Sequence, residues 1–553
     1  MLSRVRLLEI SIASFVLYTK VAIAFLSAQA PFRSGLNPNK VNAALRTFAT
    51  KVPPTTVADK SGIDEIIAPD LPTIQEWTEE ALLHCGTPGG YQALQHLGQA
   101  TQQRLSYDFD ANKQCQSNVR LEPQLFPKHV TGQVSSIVKE MESQGLLSTN
   151  LDSVDGLPSF HLNLVSNGQP LFPKEQESVS AFGRKTQELL TLVEPYIYNH
   201  LLPQARVVGQ SKRLAVSDIF LRRYGQDSED ARNGISAHYD VFSKVTSVIA
   251  MDNAAASGNN GLYTTATGAN TDQGTSSNHA SLRRYFPLKQ GDAVIHTWDV
   301  LHGVDVLPGS DRTSLIVWFT EEPDEKDLGV SPWLLQDEEK LENDDVTQFV
   351  LASALASANE LASDDEDNDG EVAAMYHTAP PQSKQCPMGL NSQRLYLQSA
   401  ARGNSFALFR VGSICEGDEW GSKDLEKQAK CLLELLATKS KLPRALQEVE
   451  IPSSQYVAWQ FWWESAVRGN PNAQVALADD LMVHATTSSD ICNRDESVLL
   501  ATVLYGLAAQ QGIEDALDRL TQVVGLEVDS KGIETEAEFL NSPVVQTAQA
   551  ATS

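Results

Sequence analysis

The chain has 553 residues, enough for two or three domains and at least one large hydrophobic core. Its 70 acidic and 43 basic side chains give a formal net charge of −27, so most of the surface would repel a phosphate backbone. This charge balance excludes nucleic-acid binding and favours a protein or a small molecule as the partner.

The first residues have the composition of a targeting signal. Two arginines precede an apolar stretch from about Leu7 to Tyr18, and the small residues Ala22 and Ala24 follow. Residues 1–24 therefore predict a signal peptide. Glu9 interrupts the apolar stretch, so no stable membrane span is expected in the mature chain.

Residues 25–58 predict a second targeting element. From Phe25 to Val57 there is no acidic residue, whereas basic, hydroxyl and small residues are frequent, which is the composition of a transit peptide. A signal peptide followed by such a segment resembles the bipartite plastid presequences of algae with complex plastids. The resemblance implies a plastid location, and residence in the endoplasmic reticulum or secretory pathway is the alternative.

Six cysteines occur, none at CxxC or another close metal-ligand spacing: Cys85, Cys115, Cys386, Cys415, Cys431 and Cys492. We expect them to be mostly reduced core residues. A disulfide between Cys85 and Cys115 stays open if the chain passes through an oxidising compartment.

Hydrophobic periodicity predicts helices first and strands afterwards. Residues 60–205 look mainly helical, with apolar residues three and four apart in "LPTIQEWTEEALLHC" and "SAFGRKTQELLTLVEPYIYNHLL". From Ala215 the period becomes strand-like in "LAVSDIFLRRY", "KVTSVIAMDN", "DAVIHTWDV" and "RTSLIVWFTEE". Such strands suggest an antiparallel jelly roll. The polar segment "AAASGNNGLYTTATGANTDQGTSSNHAS" reads as a long functional or mobile loop.

Three side chains in this strand region form a candidate metal site. His238 and Asp240 lie two residues apart in "GISAHYDVFS", so on a strand both would project from one face and Tyr239 from the other. His302 in "WDVLHGVDVLPG" supplies a third ligand. Two imidazoles and one carboxylate suit non-haem Fe(II) oxygenases. Arg312 and Ser314 would share a strand face, and a guanidinium matches the carboxylate of a dicarboxylic acid.

The order HxD, His about sixty residues later and a basic residue ten after that resembles the 2-oxoglutarate and Fe(II)-dependent dioxygenase superfamily. "FLRRYG", "PLKQGDAVIHTW" and "RTSLIVWF" look most like the prolyl 4-hydroxylase catalytic domain, over residues 215–322. The resemblance implies a double-stranded β-helix (jelly-roll) oxygenase core with flanking helices. It implies that His238, Asp240 and His302 bind iron, with no catalytic residue beyond these ligands.

The resemblance also implies the cosubstrate contacts. Arg312 would pair with the distal carboxylate of 2-oxoglutarate, with Ser314 and Tyr224 as further contacts. Three departures leave the substrate pocket open: Tyr224 lies fourteen residues before His238, Arg312 replaces the usual lysine, and the "GGxTxF" strand is reduced to "NGLYTTA". Ascorbate is the expected reductant.

Other residues of this region have plainer interpretations. His296 and His279 could compete for the place of third ligand, but neither has a basic residue at the matching distance. We expect His296 to be a wall residue of the barrel. Trp298 and Trp318 are more often core residues than a substrate platform.

Residues 326–385 read as an acidic linker. Within it, "DEDNDG" (Asp365–Gly370) imitates the start of a calcium loop, but its twelfth position, Tyr376, offers no bidentate carboxylate. The oxygenase domain would span residues 60–325, and we expect few contacts to cross the linker.

One pattern recurs three times beyond the linker, in "SAARGNSFALFRVG", "SAVRGNPNAQVALA" and "LAAQQGIEDALDRL". In each copy a glycine ends one helix, and alanines let the next helix pack closely: Ala400, Gly403, Ala407, Ala466, Gly469, Ala473, Ala509, Gly512 and Ala516. The pattern resembles Sel1-like repeats, relatives of the tetratricopeptide family, over residues 386–530, with a tail at 531–553. Unrelated helical hairpins are the alternative. Such repeats usually bind protein.

The sequence therefore predicts an α+β multidomain protein, an oxygenase core followed by an all-α repeat region. By resemblance it would be a dioxygenase that hydroxylates a prolyl or other side chain of a protein and forms succinate and CO2. A small metabolite is the alternative substrate. An alternative of another class is an adaptor whose repeats bind protein and whose oxygenase domain is inactive.

Overall fold

A computed structural model describes most of the chain between residues 71 and 524. The described ranges are 71–101, 104–107, 118–147, 149–151, 158–171, 181–225, 232–265, 279–307, 310–321, 332–335, 338–364, 391–417, 419–437, 442–447, 453–487 and 491–524. Several predicted features lie outside them: the signal peptide (1–24), the transit segment (25–58), Cys115, Cys386, the segment Asp365–Gly370 and the tail (531–553).

Helices are found before and after the strand region. They are α1 (Leu71–Leu83), α2 (Pro88–Thr101), α3 (Lys128–Ser143), α4 (Ala181–Tyr196), α5 (Leu202–Val208), α6 (Pro332–Leu335), α7 (Glu338–Asn343), α8 (Asp345–Asp364), α9 (Ser392–Ala401), α10 (Ser405–Gly417), α11 (Lys423–Ala437), α12 (Arg444–Gln447), α13 (Ser453–Val467), α14 (Pro471–Thr487), α15 (Ile491–Gln510) and α16 (Glu514–Val524). A π-helical turn, Ile197–Leu201, joins α4 to α5. None of the helices in the described part of the chain has the length and hydropathy needed to cross a bilayer.

Strands occur on both sides of residue 205. They are β1 (Leu105–Ser106), β2 (Val119–Glu122), β3 (Thr149–Leu151), β4 (Pro158–Ser166), β5 (Gln169–Pro170), β6 (Leu214–Tyr224), β7 (Gly234–His238), β8 (Val245–Ala250), β9 (Gly261–Thr265), β10 (Arg283–Tyr285), β11 (Ala293–Thr297), β12 (His302–Asp305) and β13 (Arg312–Glu321). The protein is thus a mixed α/β structure with many helices.

The strands form two sheets. The minor sheet has the order β1-β10-β9-β12-β7, and the major sheet has the order β2-β11-β8-β13-β6-β4-β3 with β5 paired to β4. All described pairings are antiparallel except that between β1 and β10. Side chains of both sheets meet in one buried cluster, which includes Leu262 and Val304 of the minor sheet and Val248 and Ile316 of the major sheet. The interior between the sheets is therefore a packed core.

Two further helical layers cover the outer faces of the sheets. The outer face of the major sheet packs on α3, α4 and α5, where Leu221 and Leu315 share a core with Val134 and Leu189. The outer face of the minor sheet packs on the C-terminal helices together with α1 and α2. Tyr239 and Tyr263 belong to that core, as does Phe349 of α8.

The expectation of few contacts between the oxygenase domain and the C-terminal helices was wrong. The Tyr239 ring lies 5.9 Å from the Phe406 ring of α10, and Arg283 donates a hydrogen bond to the Gln511 carbonyl at 2.6 Å. Charge runs predict solvation from composition alone, whereas the apolar residues Val350 and Leu351 of α8 are fully buried. Residues 345–364 are therefore a helix within the range 326–385 that the sequence assigned to an acidic linker, and its buried residues belong to the shared core.

Residues 60–205 are mainly helical where the structure describes them, as the sequence predicted, but they also contribute β2 and β4 to the major sheet. The alternation of polar and apolar residues in "FHLNLVS" is a strand signal. The expectation of one long loop over residues 254–281 needs correction, since β9 lies within it, in the middle of the minor sheet between β10 and β12. Residues 266–278 of the predicted loop lie outside the described residues.

The three recurrent segments share one turn. Each is a helix–turn–helix pair, α9/α10, α13/α14 and α15/α16, and its glycine has a left-handed backbone: φ is 90° at Gly403, 86° at Gly469 and 88° at Gly512. In each turn the glycine N–H donates to the carbonyl three residues earlier at 2.9 Å. This closure by a left-handed residue is a common helix C-terminus.

The described cysteines bear on the disulfide expectation only in part. Cys85, Cys415 and Cys431 are free thiols. Burial raises the pKa of Cys85 to about 11, with the Glu496 carboxylate adding to the effect, so this thiol is protonated at neutral pH. Cys115, which the sequence offered as its partner, is outside the described residues.

Candidate metal centre

The structure brings together the three side chains that the sequence nominated as metal ligands. His238 ends β7, His302 begins β12, and the two residues are paired directly across the antiparallel ladder. Asp240 follows β7 beyond its last paired residue. One ligand atom from each side chain lies within 4.8 Å of the others, so the group could hold a metal ion.

Each histidine has the tautomer that a metal requires. Nδ1 of His238 donates to the Ser236 carbonyl at 2.8 Å, and Nδ1 of His302 donates to the Val300 carbonyl at 3.0 Å. With the proton on Nδ1, Nε2 is the nitrogen that would bind a cation. The two Nε2 atoms lie 3.8 Å and 3.5 Å from the Asp240 carboxylate oxygens.

Thr246 of the major sheet orients the carboxylate ligand. Its hydroxyl donates a hydrogen bond to Asp240 Oδ2 at 2.5 Å, and both side chains are buried. Burial by itself raises the pKa of Asp240, but the neighbouring His302 and His238 and this hydrogen bond together lower it below its usual value. The carboxylate is therefore ionised, as a metal ligand must be.

The two competing histidines do not join the group. The His296 ring is fully buried 4.2 Å from the His302 ring, and His296 Nδ1 donates to the Thr297 carbonyl at 3.1 Å. Burial, reinforced by His302, lowers the pKa of His296 to about 3, so it is neutral. His279 Nδ1 lies 2.6 Å from the Ser281 hydroxyl, and the three-residue ligand group contains neither histidine.

Arg312 is a buried cation with unused hydrogen-bond donors. Its side chain is 1% exposed, and Nε donates to the Ser314 hydroxyl at 3.1 Å. Its terminal nitrogens Nη1 and Nη2 make no hydrogen bond with any residue that the structure describes. Burial lowers the pKa of Arg312, with Asp252 acting in the opposite direction, yet a guanidinium stays protonated at any physiological pH.

The guanidinium of Arg312, which belongs to the major sheet, lies against Gly261 of the minor sheet. Gly261 at the start of β9 has φ +91°, and a Cβ atom built on it would lie 1.9 Å from Arg312 Nη1. Gly261 pairs with Asp305 on the same β9–β12 ladder in which Thr264 pairs with His302. Gly261 and Thr264 are three residues apart on β9, a distance of roughly 10 Å, so the Arg312 guanidinium lies about that far along the sheet from His302. Glycine leaves the space that the guanidinium occupies.

The remaining nominated residues lie on the same interior face. Tyr224, 2% exposed, is paired directly with Arg312. Ser314 pairs with Ala250, and Trp318 pairs with Thr246, which holds Asp240. The Trp318 ring packs edge-on against Phe220 at 5.3 Å, so it lies at the border of the interior core. Trp298 packs against the core shared with the C-terminal helices.

Sequence reasoning missed two residues of the site. Thr246 is inconspicuous within the apolar strand "KVTSVIAMDN", although its i, i+2 relation to Val248 places it on the interior face. Gly261 was available in "NGLYTTA", but its role depends on Arg312, which is 51 residues away in sequence.

Comparisons with known proteins give structural likeness only. No family model and no curated protein matches the chain. A prolyl-4-hydroxylase from Pseudomonas putida has a TM-score of 0.25 at 12% identity, covering 40% of this chain and 98% of that one. A 2OG-Fe(II) oxygenase family oxidoreductase from Burkholderia pseudomallei has a TM-score of 0.26 at 13% identity, with coverages of 39% and 93%.

A further solved structure, EvdO2 from Micromonospora carbonacea var. aurantiaca complexed with 2-oxoglutarate, has a TM-score of 0.26 at 14% identity and covers 40% of this chain and 93% of that one. Because these scores and identities are low, the functional conclusion depends on the residues of the site itself.

Proposed function

We propose that the protein is an Fe(II)- and 2-oxoglutarate-dependent hydroxylase. The observation that carries this proposal is the buried Arg312 guanidinium with two unpaired terminal nitrogens, on the interior face from which Thr246 holds Asp240 of the His238–Asp240–His302 group. A metal site and an anion site that share one interior suit a cosubstrate that is both a metal chelator and an acid.

The energetics of Arg312 favour an anionic ligand. Leaving buried polar donors unpaired costs about 1–3 kcal/mol each, and more for a charged group. A carboxylate offers two oxygens that match the two terminal nitrogens in a bidentate pair. The Ser314 hydroxyl accepts the hydrogen bond from Nε, so the two terminal nitrogens remain for the ligand. The distal carboxylate of 2-oxoglutarate fits this arrangement, with Tyr224 beside it.

The donor set fits iron. Two neutral imidazoles and one ionised carboxylate are the ligands of non-haem Fe(II) oxygenases, and His238, Asp240 and His302 would hold the ion. Bound iron, with the cosubstrate, supplies the activation of O2 that an unactivated C–H bond requires. The backbone carbonyls of Ser236 and Val300 fix the imidazole tautomers, and Thr246 fixes the carboxylate.

The proposed overall reaction consumes one O2 and one 2-oxoglutarate for each hydroxyl group added, and releases succinate and CO2. A side chain of a protein, prolyl first among the candidates, is the proposed substrate, and ascorbate is the proposed reductant. The C-terminal helix–turn–helix pairs support a protein substrate, because stacked helical pairs of this kind commonly present a protein-binding surface.

The decisive test is release of succinate from 2-oxoglutarate by the purified full chain with Fe(II) and ascorbate. The wild type should form succinate slowly even without substrate, and Asp240→Ala should abolish it because one of three ligands is lost. The matched control is Asp292→Ala. Asp292 is also a buried aspartate, but its carboxylate accepts hydrogen bonds from the backbone N–H groups of Gln124 and Lys289 and is not part of the ligand group. Folded Asp292→Ala protein should form succinate as the wild type does.

Two results would contradict the proposal. Absence of succinate from the wild type under these conditions would favour the adaptor alternative. Equal activity of the wild type and Asp240→Ala would place the chemistry elsewhere.

A second measurement tests the substrate class. Peptides that gain one oxygen in the presence of the wild type, but not of Asp240→Ala, would support a protein substrate. Succinate formation stimulated only by small molecules would overturn that part.

A further inference from the structure

The residue between the two ligands of the HxD segment is anchored in the C-terminal helices. Tyr239 is 5% exposed, and its side chain belongs to the core that contains the C-terminal helices and not to the core between the sheets. Its ring centroid lies 6.1 Å from that of Phe349 in α8 and 5.9 Å from that of Phe406 in α10.

These aromatic residues form one connected cluster. The Phe349 ring lies 5.7 Å from the Phe406 ring and 5.9 Å from the Tyr396 ring of α9. Two helices therefore contact the Tyr239 ring directly, and α9 supports them through Phe349. Tyr239 lies between His238 and Asp240 in the chain, so its packing acts on the backbone of both ligands.

The second ligand segment is supported from the same side. Leu301 immediately precedes His302, is 1% exposed and belongs to the same core as Tyr239 and Phe349. The metal-binding side chains project inward, while their neighbours in sequence project outward into the helices. The C-terminal helices thus contact the first ligand segment through Tyr239, and Leu301 places the second segment against the same core.

The hydroxyl of Tyr239 takes no part in this anchoring. Its oxygen is buried without a hydrogen-bond partner among the described residues. The packing of its ring holds the residue in place, since aromatic pairs at these distances attract each other beyond the effect of the area that they bury. Phenylalanine at this position retains the ring and removes the unpaired oxygen.

We propose that the C-terminal helices set the affinity and geometry of the metal centre, with Tyr239 as the positioning residue that connects them to His238 and Asp240. This inference rests on the proposed function only in requiring that the three ligands bind a divalent metal. It assigns to the helices a part in the metal site that is separate from any binding of a protein substrate.

The test compares the binding of Co(II), a spectroscopic substitute for Fe(II), to variants of the full chain. Tyr239→Ala and Phe406→Ala should weaken Co(II) binding by about 10–100-fold, the usual effect of losing an interaction that orients metal ligands. Both should also alter the Co(II) absorption and electron paramagnetic resonance spectra. Tyr239→Phe should restore the wild-type affinity and spectrum.

A control separates this role from general destabilisation. Phe461 of α13 is fully buried in the same core and makes no ring contact with Tyr239 in the described part of the chain. Phe461→Ala should lower the melting temperature at least as much as Phe406→Ala, because it removes a more deeply buried ring, but leave Co(II) binding unchanged.

The outcomes distinguish the two proposals. Wild-type affinity and spectra in both Tyr239→Ala and Phe406→Ala would overturn the positioning role alone. Equal weakening by Phe461→Ala would also overturn it, since the effect would then reflect stability only. If the wild type binds no Co(II) and no Fe(II), the proposed function and this inference both fail.

Discussion

Burial disfavours the charged form of the Arg312 guanidinium, and a bound carboxylate would offset this cost. A charge-assisted hydrogen-bonded pair is worth about 1.5–3 kcal/mol, so Arg312→Ala should raise the KM for 2-oxoglutarate by roughly 10- to 150-fold. Initial rates of succinate formation at varied 2-oxoglutarate measure this. The KM should rise without loss of the bound metal, because none of the three ligands is changed.

Two neighbouring arginines make this prediction specific. Arg223 pairs with Glu142 on the outer side of the major sheet, so Arg223→Gln should leave the KM unchanged. Arg222 lies on the interior face with its guanidinium 5.4 Å from the Phe220 ring centroid. A normal KM in Arg312→Ala together with a raised KM in Arg222→Gln would move the anchor to Arg222.

The contact between His296 and His302 provides a second prediction at this scale. Both rings are buried side by side, but only His302 belongs to the ligand group. His296→Leu should therefore bind one Fe(II) per chain as the wild type does, whereas His302→Ala should bind none that survives desalting. Anaerobic iron analysis of folded protein decides between them. Loss of iron from His296→Leu would show that His296 is a ligand or directly supports one.

Among the site residues, strand periodicity and residue chemistry sufficed to nominate His238, Asp240, His302 and Arg312. The strand argument for Asp240 held only in part, because β7 ends at His238 and Asp240 follows it. What the sequence could not reveal was which nitrogen of each imidazole is protonated, since that depends on the Ser236 and Val300 carbonyls.

At the scale of elements, the helix–turn–helix pairs allow a matched test of backbone conformation. Gly506 and Gly512 belong to the α15 helix and the turn after it, and a Cβ atom at either would meet nothing within 4 Å. Only Gly512 has a positive φ, of +88°. Gly506→Ala should stabilise the protein by about 0.5–1 kcal/mol, and Gly512→Ala should destabilise it by about 1–2 kcal/mol.

Denaturant titration followed by circular dichroism measures both changes. Since the space around the two glycines is equally open, the difference between the variants reports the left-handed conformation alone. Equal effects of the two substitutions would mean that the turn relaxes to another conformation. The glycine pattern predicted these turns from sequence, because a helix that ends in a left-handed residue is a local feature.

For the whole molecule, the position of the C-terminal helices changes what truncation should do. The sequence predicted few contacts across the acidic linker, so a cut near Ser363 would be expected to leave a folded oxygenase domain. Such a cut instead removes Phe406 and Tyr396, whose rings pack against the buried residues Tyr239 and Phe349. We expect a chain that ends at residue 364 to aggregate and to lose metal binding, because it exposes a large apolar surface.

A chain that ends at residue 530 is the control, since it retains every described helix. Size-exclusion chromatography and Fe(II) binding of the two proteins test the prediction. A monomeric chain ending at residue 364 with wild-type iron affinity would show that the oxygenase domain folds independently, as the sequence alone suggested.

By itself the sequence determined the mixture of strands and helices, the nominated metal ligands with Arg312, and the recurrent glycine turns. Each of these depends on spacing over a few residues or on the chemistry of single side chains. Only the tertiary structure decided that β9 lies inside the minor sheet, that Gly261 makes room for Arg312, and that the C-terminal helices pack against Tyr239, which lies between two of the candidate ligands. These features depend on contacts between residues that are distant in sequence, and local periodicity carries no information about which distant surfaces bury each other.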